Sequence, residues 1–184
     1  MRGYFGIGVE GISKPMNVGN LFRSAHAFGA SFVFWVRPHH TAFSSAPSDT
    51  SRGSTHLPSY TWQSSGDIKL PQGCKLIGIE LLDEATELPS FKHPLQAAYV
   101  LGPERGSLSP ELTSRCDHIV KIPTKFCVNV GVAGAIVMYD RLLALGRFAS
   151  RPLHEGGASE MGKPHRHGAA RQRLKAKEEP RSGR

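Results

Sequence analysis

The segment "KIPTKFCVNVGVAGAIVMYD", residues 121–140, changes character twice along its length. A β-branched run closes at Pro123, a short loop follows, and Asn129 opens an apolar stretch studded with glycine and alanine. The apolar part is shorter than the roughly 18 residues of a membrane span, and it runs into the polar "YDRLLALGR". We therefore interpret the segment as the end of a strand, a loop and a buried helix.

The length and composition fit one compact domain. A chain of 184 residues can bury a real core, and its apolar fraction of 39% is ordinary for a soluble protein. Neither an 18-residue apolar run nor a signal peptide is present in this sequence. We expect no membrane segment.

The cysteines and histidines predict neither a disulfide framework nor a metal site. Cys74, Cys116 and Cys127 are odd in number, scattered and without C-x-x-C spacing, which is typical of a protein in the reducing cytoplasm. The nine histidines form no set with ligand spacing. The sequence therefore predicts a cytoplasmic protein without a metal.

The positive charge is concentrated at the C-terminal end. Residues 151–184 hold nine Lys/Arg and four Asp/Glu, a balance of +5 within the total of +8, and almost no large apolar residue. Such a segment cannot offset its ordering entropy by burial, so we predict a domain over residues 1–150 and a disordered basic tail over 151–184. The tail is either an arm that attracts a phosphate backbone or a solubilising extension.

Five short β-rich runs alternate with helix-compatible segments. The runs are mostly continuous rather than alternating, as in strands buried on both faces of a parallel sheet; they are "YFGIGVE", "SFVFWV", "KLIGIEL", "AAYVLG" and "HIVKIP". Helices are indicated by the apolar spacing in "NVGNLFRSAHAFG", by "SPELTSRC" with Ser109 as its N-cap, and by residues 128–145. The alternation predicts an α/β fold with a parallel sheet.

Three segments with glycine, proline and polar residues lie just after predicted strands, where open α/β sheets bind ligands. They are "NVGNLFRSAHAFGA", "LGPERGSLSPEL" and the loop of the opening segment. Each also has a purely structural interpretation: Asn17 as a helix cap, a strand–helix connector, and a core helix. No Walker A loop, G-x-G-x-x-G after the first strand, or G-x-S-x-G elbow is present, so the motifs alone name no reaction.

Together the three segments resemble the three motifs of the SpoU/TrmH branch of the SPOUT RNA methyltransferases. "NVGNLFRSAHAFG" is similar to motif 1, "LGPERGSLSPE" to motif 2 and "IPTKFCVNVGVA" to motif 3, in that order along the chain. The resemblance implies a parallel-sheet SPOUT fold with a C-terminal deep trefoil knot. It also implies S-adenosylmethionine as cofactor and a homodimer with the active site near the subunit interface.

The resemblance also assigns site residues. Asn17, Arg23, Glu104 and Asn129 match the catalytic polar set, with Arg23 as the catalytic arginine. The cofactor site would be formed by Ile79, Glu80, Leu81, Gly102, Ile122, Cys127 and Asn129. Because an arginine side chain stays protonated at neutral pH, it is a poor base. We interpret Arg23 as polarising a ribose hydroxyl and contacting an adjacent phosphate.

Motif 3 departs from its family at two positions. Cys127 and Gly131 stand where serine is usual, and a thiol is a weak hydrogen-bond donor. The resemblance as a whole implies an S-adenosylmethionine-dependent methyltransferase for the ribose 2′-hydroxyl of RNA, with transfer RNA favoured over ribosomal RNA. The alternative is a SPOUT-fold RNA-binding protein with weak or no catalysis.

Overall fold

A seven-stranded parallel sheet forms the centre of the computed structural model, which describes residues 3–39, 57–146, 148, 155 and 156. Contacts divide the chain into two units, residues 1–147 and 148–184, and the fold described below belongs to the first. Nearly all of the predicted tail, residues 151–184, lies outside the described residues, so its disorder stays a prediction.

The sheet and helices follow one another along the chain in a mostly alternating order. The elements are β1 (Tyr4–Glu10), α1 (Pro15–Ala27), β2 (Phe32–Val36), β3 (Ser59–Trp62), β4 (Lys75–Ile79), β5 (Thr86–Glu87), β6 (Gln96–Leu101), α2 (Pro110–Arg115), β7 (His118–Lys121) and α3 (Val130–Leu145). The strand order is β3-β2-β1-β6-β4-β7-β5. The carboxyl ends of β1, β6, β4 and β7 therefore meet along one edge of the sheet.

The prediction of a parallel α/β sheet is confirmed. The five predicted strands are β1, β2, β4, β6 and β7, and β1, β2 and β6 are buried along almost their whole length. The sequence analysis missed β3, an exposed edge strand within a polar connection, and β5, which has only two residues. Residues 40–56 of that connection lie outside the described part of the chain.

Caps, proline and glycine account for where the described helices begin and end. Pro15 occupies the first turn of α1, and Gly29, with φ of +75°, takes the left-handed position that follows the helix end. The N-cap of α1 is Lys14, so the interpretation of Asn17 as a cap is wrong. Ser109 caps α2, since its hydroxyl accepts a hydrogen bond from the Leu112 amide at 3.2 Å, as predicted.

Helix α3 packs tightly against α1 on one side. Its small residues allow this approach, because a Cβ at Gly134 would lie 2.1 Å from Leu21 Cδ1. Val132, Tyr139 and Leu143 of α3 are nevertheless exposed to solvent in the single chain. The sequence predicts a buried helix, whereas the single chain buries only one face of it.

A buried polar cluster anchors the far end of α3 to the amino ends of the strands. The Arg141 guanidinium donates to the carbonyls of Pro94 and Leu95, at 2.6 and 2.8 Å, and to the Tyr99 hydroxyl at 3.1 Å. His93 lies between the Tyr99 hydroxyl and the Asp140 carboxylate, and burial lowers the pKa of this imidazole. These contacts fix the orientation of α3 relative to the sheet.

Candidate active site

A cavity of about 330 Å³ lies at the carboxyl ends of the central strands. Ligand pockets in proteins commonly enclose about 300–1,000 Å³. Four segments form it: the start of α1, the end of β4, the loop after β6, and the loop between β7 and α3. Every predicted site residue except Arg23 lines it, namely Asn17, Ile79, Glu80, Leu81, Gly102, Glu104, Ile122, Cys127 and Asn129.

A hydrogen-bonded relay joins the three motif segments across this cavity. The Asn129 amide nitrogen donates to Asn17 Oδ1 at 2.9 Å, and Asn17 Nδ2 donates to Glu104 Oε1 at 3.0 Å. Asn129 Oδ1 in turn accepts from the Gly131 backbone N–H at 2.9 Å, which caps α3. Because a backbone donor stands at one end and a carboxylate at the other, only one orientation of both amides satisfies the relay.

The Glu104 carboxylate caps the start of α1 from outside the helix. It accepts from the backbone N–H groups of Ser13 and Lys14, at 3.2 and 2.9 Å, where α1 has no side-chain cap of its own. Partial burial acts to raise the pKa of Glu104. The hydrogen bonds from its own amide, from Asn17 and from these two amides outweigh it and hold the pKa below its ordinary value.

Two further carboxylates clamp the loop that follows β6. Glu10 Oε2 accepts from the Ser109 N–H at 2.7 Å, and Glu10 Oε1 accepts from the Ser109 hydroxyl at 2.6 Å. Glu80 Oε2 accepts from the neighbouring Leu108 N–H at 2.7 Å. The two acids stand at the ends of β1 and β4, the strands on either side of β6. The loop that contains Gly102 and Glu104 is therefore held from both flanks.

Glu10 is a site residue that the sequence analysis did not find. Its side chain does not line the cavity, and it acts on the cavity only through Ser109. The signal was present in the sequence, because "YFGIGVE" ends a fully apolar strand on an acid. An acid that is 3% exposed needs partners, and those partners define the loop.

Replacing Glu10 tests the clamp. We expect Glu10→Gln to lower the free energy of unfolding by about 2 kcal/mol, because the amide cannot accept both hydrogen bonds that the carboxylate accepts from Ser109. Urea denaturation measures this loss. Glu87→Gln, at an exposed acid of β5, is the matched control and should change it by less than about 0.5 kcal/mol. Equal stability of the two variants would contradict the clamp.

Arg23 lies outside the cavity, on a neighbouring depression between α1 and α3. The depression is lined by Asn20, Arg23, Ser24, Phe28, Asn129, Gly131, Val132, Ala135, Ile136 and Tyr139. Asn129 lines both the cavity and the depression, so it is the residue that connects them. Within one chain the predicted catalytic set is therefore divided between two surfaces that meet at Asn129.

The two departures in motif 3 have different structural consequences. A Cβ at Gly131 would lie 3.2 Å from the Asn20 Cβ and 3.3 Å from Asn129 Oδ1, so a larger residue would crowd the capping amide. Cys127 is exposed and lines the cavity, but no described histidine lines it with this cysteine. Among the described residues, no histidine of the cavity could therefore activate Cys127 as a nucleophile.

The described residues lack two further kinds of feature. They contain no group of three or more His, Cys, Asp or Glu side chains that could hold a metal ion. None of their helices combines the length and the apolar character that a membrane crossing requires.

The part of the chain that contains all three motif segments matches one known family. Residues 5–139 match the model of the SpoU rRNA Methylase family. The chain belongs to this family. A curated relative, the mitochondrial rRNA methyltransferase 1 of Schizosaccharomyces pombe, is 28% identical over an alignment of 149 positions, which covers 72% of this chain and 49% of the relative.

A second relative differs in its RNA. The mouse tRNA (guanosine(18)-2′-O)-methyltransferase TARBP1 is 25% identical over an alignment of 145 positions, which covers 70% of this chain and 9% of that protein. The chain thus spans about half the length of the first relative and about a tenth of the second.

A solved structure has the same fold. The SpoU methyltransferase AviRb from Streptomyces viridochromogenes, crystallised with the cofactor AdoMet, superimposes with a TM-score of 0.67 at 21% identity. The match covers 80% of this chain and 60% of AviRb. This likeness supports the SpoU fold of the parallel sheet.

Proposed function

We propose that this SpoU-family protein is an S-adenosylmethionine-dependent RNA methyltransferase that modifies the ribose 2′-hydroxyl, with transfer RNA favoured over ribosomal RNA. The observation that carries the proposal is the relay from Asn129 through Asn17 to Glu104. Residues from three distant motifs meet there on one cavity. A connector, a cap and a core helix would each explain one segment, but not their convergence.

The cavity fits the cofactor by its chemistry. Its floor is apolar, with Ile79, Leu101 and Ile122, which suits an adenine ring. The Glu80 and Glu104 carboxylates line it as well, and negative charge complements a sulfonium and an ammonium group. Gly102 leaves room at the loop, because a Cβ there would already approach the Leu108 nitrogen to 3.2 Å.

The chain's own residues supply alignment. S-Adenosylmethionine supplies, when bound, a methyl group on a sulfonium whose departure leaves a neutral thioether, so the reaction requires no metal. Asn17, Glu104 and Asn129 keep the loop after β6 and the start of α3 in fixed positions. Arg23 polarises the ribose hydroxyl and contacts a neighbouring phosphate, and proton removal is late or shared. Positioning of this kind contributes several kcal/mol to catalysis.

A direct assay tests the activity and the choice of RNA. Bulk transfer RNA and ribosomal RNA are incubated separately with the protein and isotope-labelled S-adenosylmethionine, and the modified nucleoside is identified by mass spectrometry. We expect a labelled 2′-O-methylnucleoside in the transfer RNA. Label in ribosomal RNA alone would overturn the substrate preference, and label on a base would overturn the ribose assignment.

The second candidate function is an RNA-binding protein of the same fold without effective catalysis. Cys127 and Gly131, which replace the usual serines at the cavity and at the cap of α3, favour it. Calorimetry with S-adenosylmethionine separates the two candidates, because the binding protein has no need of the cofactor. Absence of cofactor binding would favour the second function.

The assembly proposed for the enzyme is a homodimer formed through the α1–α3 face. Val132, Tyr139 and Leu143 are exposed there, beside the depression that contains Arg23. A partner subunit on this face would close the site around Asn129. A C-terminal trefoil knot belongs to the same proposal and is supported by the resemblance in motifs 2 and 3, while the unpaired cysteines support the cytoplasm as compartment.

The dimer is tested by placing a charge on α3. Tyr139 is 52% exposed, and we expect Tyr139→Glu to raise the dissociation constant of the dimer at least about 100-fold, because a buried unpaired carboxylate is costly. Light scattering coupled to size exclusion measures the mass. Tyr60→Glu, at an equally exposed aromatic on β3, is the control. A Tyr139→Glu protein that stays dimeric would contradict the proposed face.

A further inference from the structure

The loop between β7 and α3 presents an aromatic ring to solvent beside the cavity. Phe126 is 74% exposed, more than any other large hydrophobic side chain of the described residues. Its neighbours in the loop, Thr124 and Cys127, both line the cavity, whereas Phe126 itself does not. The ring is therefore exposed to solvent on a loop that borders the cavity, without lining the cavity itself.

The backbone of this loop is held in place, so the exposure of Phe126 is built into the fold. The Thr124 N–H donates to the Ile122 carbonyl at 2.7 Å, and the Thr124 hydroxyl donates to the Phe126 carbonyl at 2.9 Å. Burying a phenylalanine is ordinarily favourable by about 1.5–3 kcal/mol, so a ligand that covered this ring would gain free energy of that order.

Three cations belong to the segments that form the cavity, and together with Phe126 they make up the rim. Lys14 lines the cavity, Arg105 lies between two lining residues of the loop after β6, and Lys125 precedes Phe126. All three are exposed, and none forms an ion pair with another described residue. The Glu104 and Glu80 carboxylates line the cavity and accept hydrogen bonds from the protein, whereas the three cations are exposed to solvent.

We propose that this rim binds a single-stranded segment of RNA, with Phe126 stacked on a base and Lys14, Arg105 and Lys125 in contact with phosphates. An aromatic face combined with flanking cations is the pattern by which proteins hold unpaired nucleotides. In a duplex the faces of internal bases are covered by their neighbours and cannot stack on Phe126. The site therefore selects an unpaired loop or end, with the base next to the ring held outside any helical stack.

This inference rests on the proposed function and makes it more specific. The ribose that is methylated must reach the cavity, and a base stacked on Phe126 fixes the strand at its opening. Stacking at the rim restricts the enzyme to nucleotides that are already unpaired. Base pairing around the target is thus expected to protect the RNA from modification.

The test measures the affinity of the full-length protein for a fluorescently labelled 12-nucleotide oligouridylate, as a single strand and paired with oligoadenylate. We expect the single strand to bind more tightly than the duplex. Phe126→Ala should weaken single-strand binding about tenfold, and Phe126→Trp should restore it, since tryptophan keeps the stacking face. Lys125→Gln should lower the slope of log affinity against log salt by about 0.7, the value for one phosphate contact on a single strand.

Matched controls remove surface groups of the same kind elsewhere. Tyr60→Ala removes an exposed ring on β3, and Lys69→Gln removes an exposed lysine that does not line the cavity. Neither should change the affinity or the salt slope. Cofactor affinity, measured by calorimetry, should stay within twofold in Phe126→Ala, which shows that the protein is folded around an intact cleft.

Three results would overturn the rim as an RNA site. They are equal affinity of Phe126→Ala and the wild type, preference for the duplex, and conversion of Phe126→Ala to a different oligomeric state, which would make Phe126 a subunit contact. These failures differ from failure of the proposed function. A protein that methylates RNA with an unchanged Phe126→Ala affinity keeps its function and loses the rim, whereas absent cofactor binding in the wild type removes the function itself.

Discussion

We expect Arg23→Lys to lower the turnover of methyl transfer at least about 100-fold, the lower range for loss of one positioned hydrogen-bond donor in a transition state. Lysine keeps the charge but loses the planar fork that contacts a hydroxyl and a phosphate together. Arg23 does not line the cofactor cavity, so S-adenosylmethionine affinity should be unchanged. Single-turnover kinetics with saturating RNA, together with calorimetry of cofactor binding, measure the two quantities separately.

The control for this variant is Arg115→Lys, an exposed arginine at the end of α2 that donates to the Ile68 carbonyl. Its turnover should match the wild type. Near-normal turnover in Arg23→Lys would mean that the guanidinium geometry is irrelevant, and the proposed role of Arg23 would fail. Loss of cofactor binding in Arg23→Lys would instead place Arg23 in the cofactor site.

Glu104→Gln lowers the free energy of unfolding at pH 7 by about 3 kcal/mol, because several charge-assisted hydrogen bonds become neutral or are lost together. The donors affected are the amides of Ser13 and Lys14 and the Asn17 side chain. The same change loosens both the start of α1 and the relay to Asn129. We therefore expect turnover to fall along with stability.

The pH dependence of this loss has a definite sign. The folded pKa of Glu104 lies below the reference value of 4.5, so the ionised carboxylate contributes its full stability above that value. The contribution is lost as the pH falls through the lowered folded pKa. Urea denaturation of the wild type and Glu104→Gln should thus show a large difference at pH 7 that closes in strong acid. A difference independent of pH would assign the effect to shape rather than charge.

The sequence predicted the five strands with apolar runs because burial on both faces leaves a clear pattern in "YFGIGVE" and "AAYVLG". It could not indicate β3, whose exposed residues obey no such constraint, or β5, which is too short for any period. Local rules also placed the caps Ser109 and Asn129 correctly. They failed for α1, whose capping carboxylate comes from Glu104, far along the chain.

The motif resemblance predicted residues that do line the cavity, apart from Arg23. It did not predict that the candidate site is divided between a cavity and a neighbouring depression. Asn17, Asn20 and Arg23 follow the i, i+3 spacing of one helix face, yet Asn17 is buried at the cavity whereas Asn20 and Arg23 line the depression beside it. A period of 3.6 residues gives direction around a helix axis but not what the neighbouring elements cover. Glu10 was missed for a related reason, since its partner Ser109 is 99 residues away.

The relay has a consequence for how the protein acquires its activity during synthesis. Its hydrogen bonds join residues that are 87 and 112 positions apart, and a further bond from Ser13 to Glu104 spans 91. Contacts so distant in sequence form late, after the local structure that brings them together. While Asn129 is still inside the ribosome, the segments that form the strands have been synthesised, but the hydrogen bond from Asn129 to Asn17 cannot form. We expect the nascent chain to be unable to modify the RNA that surrounds it until the last helix has docked.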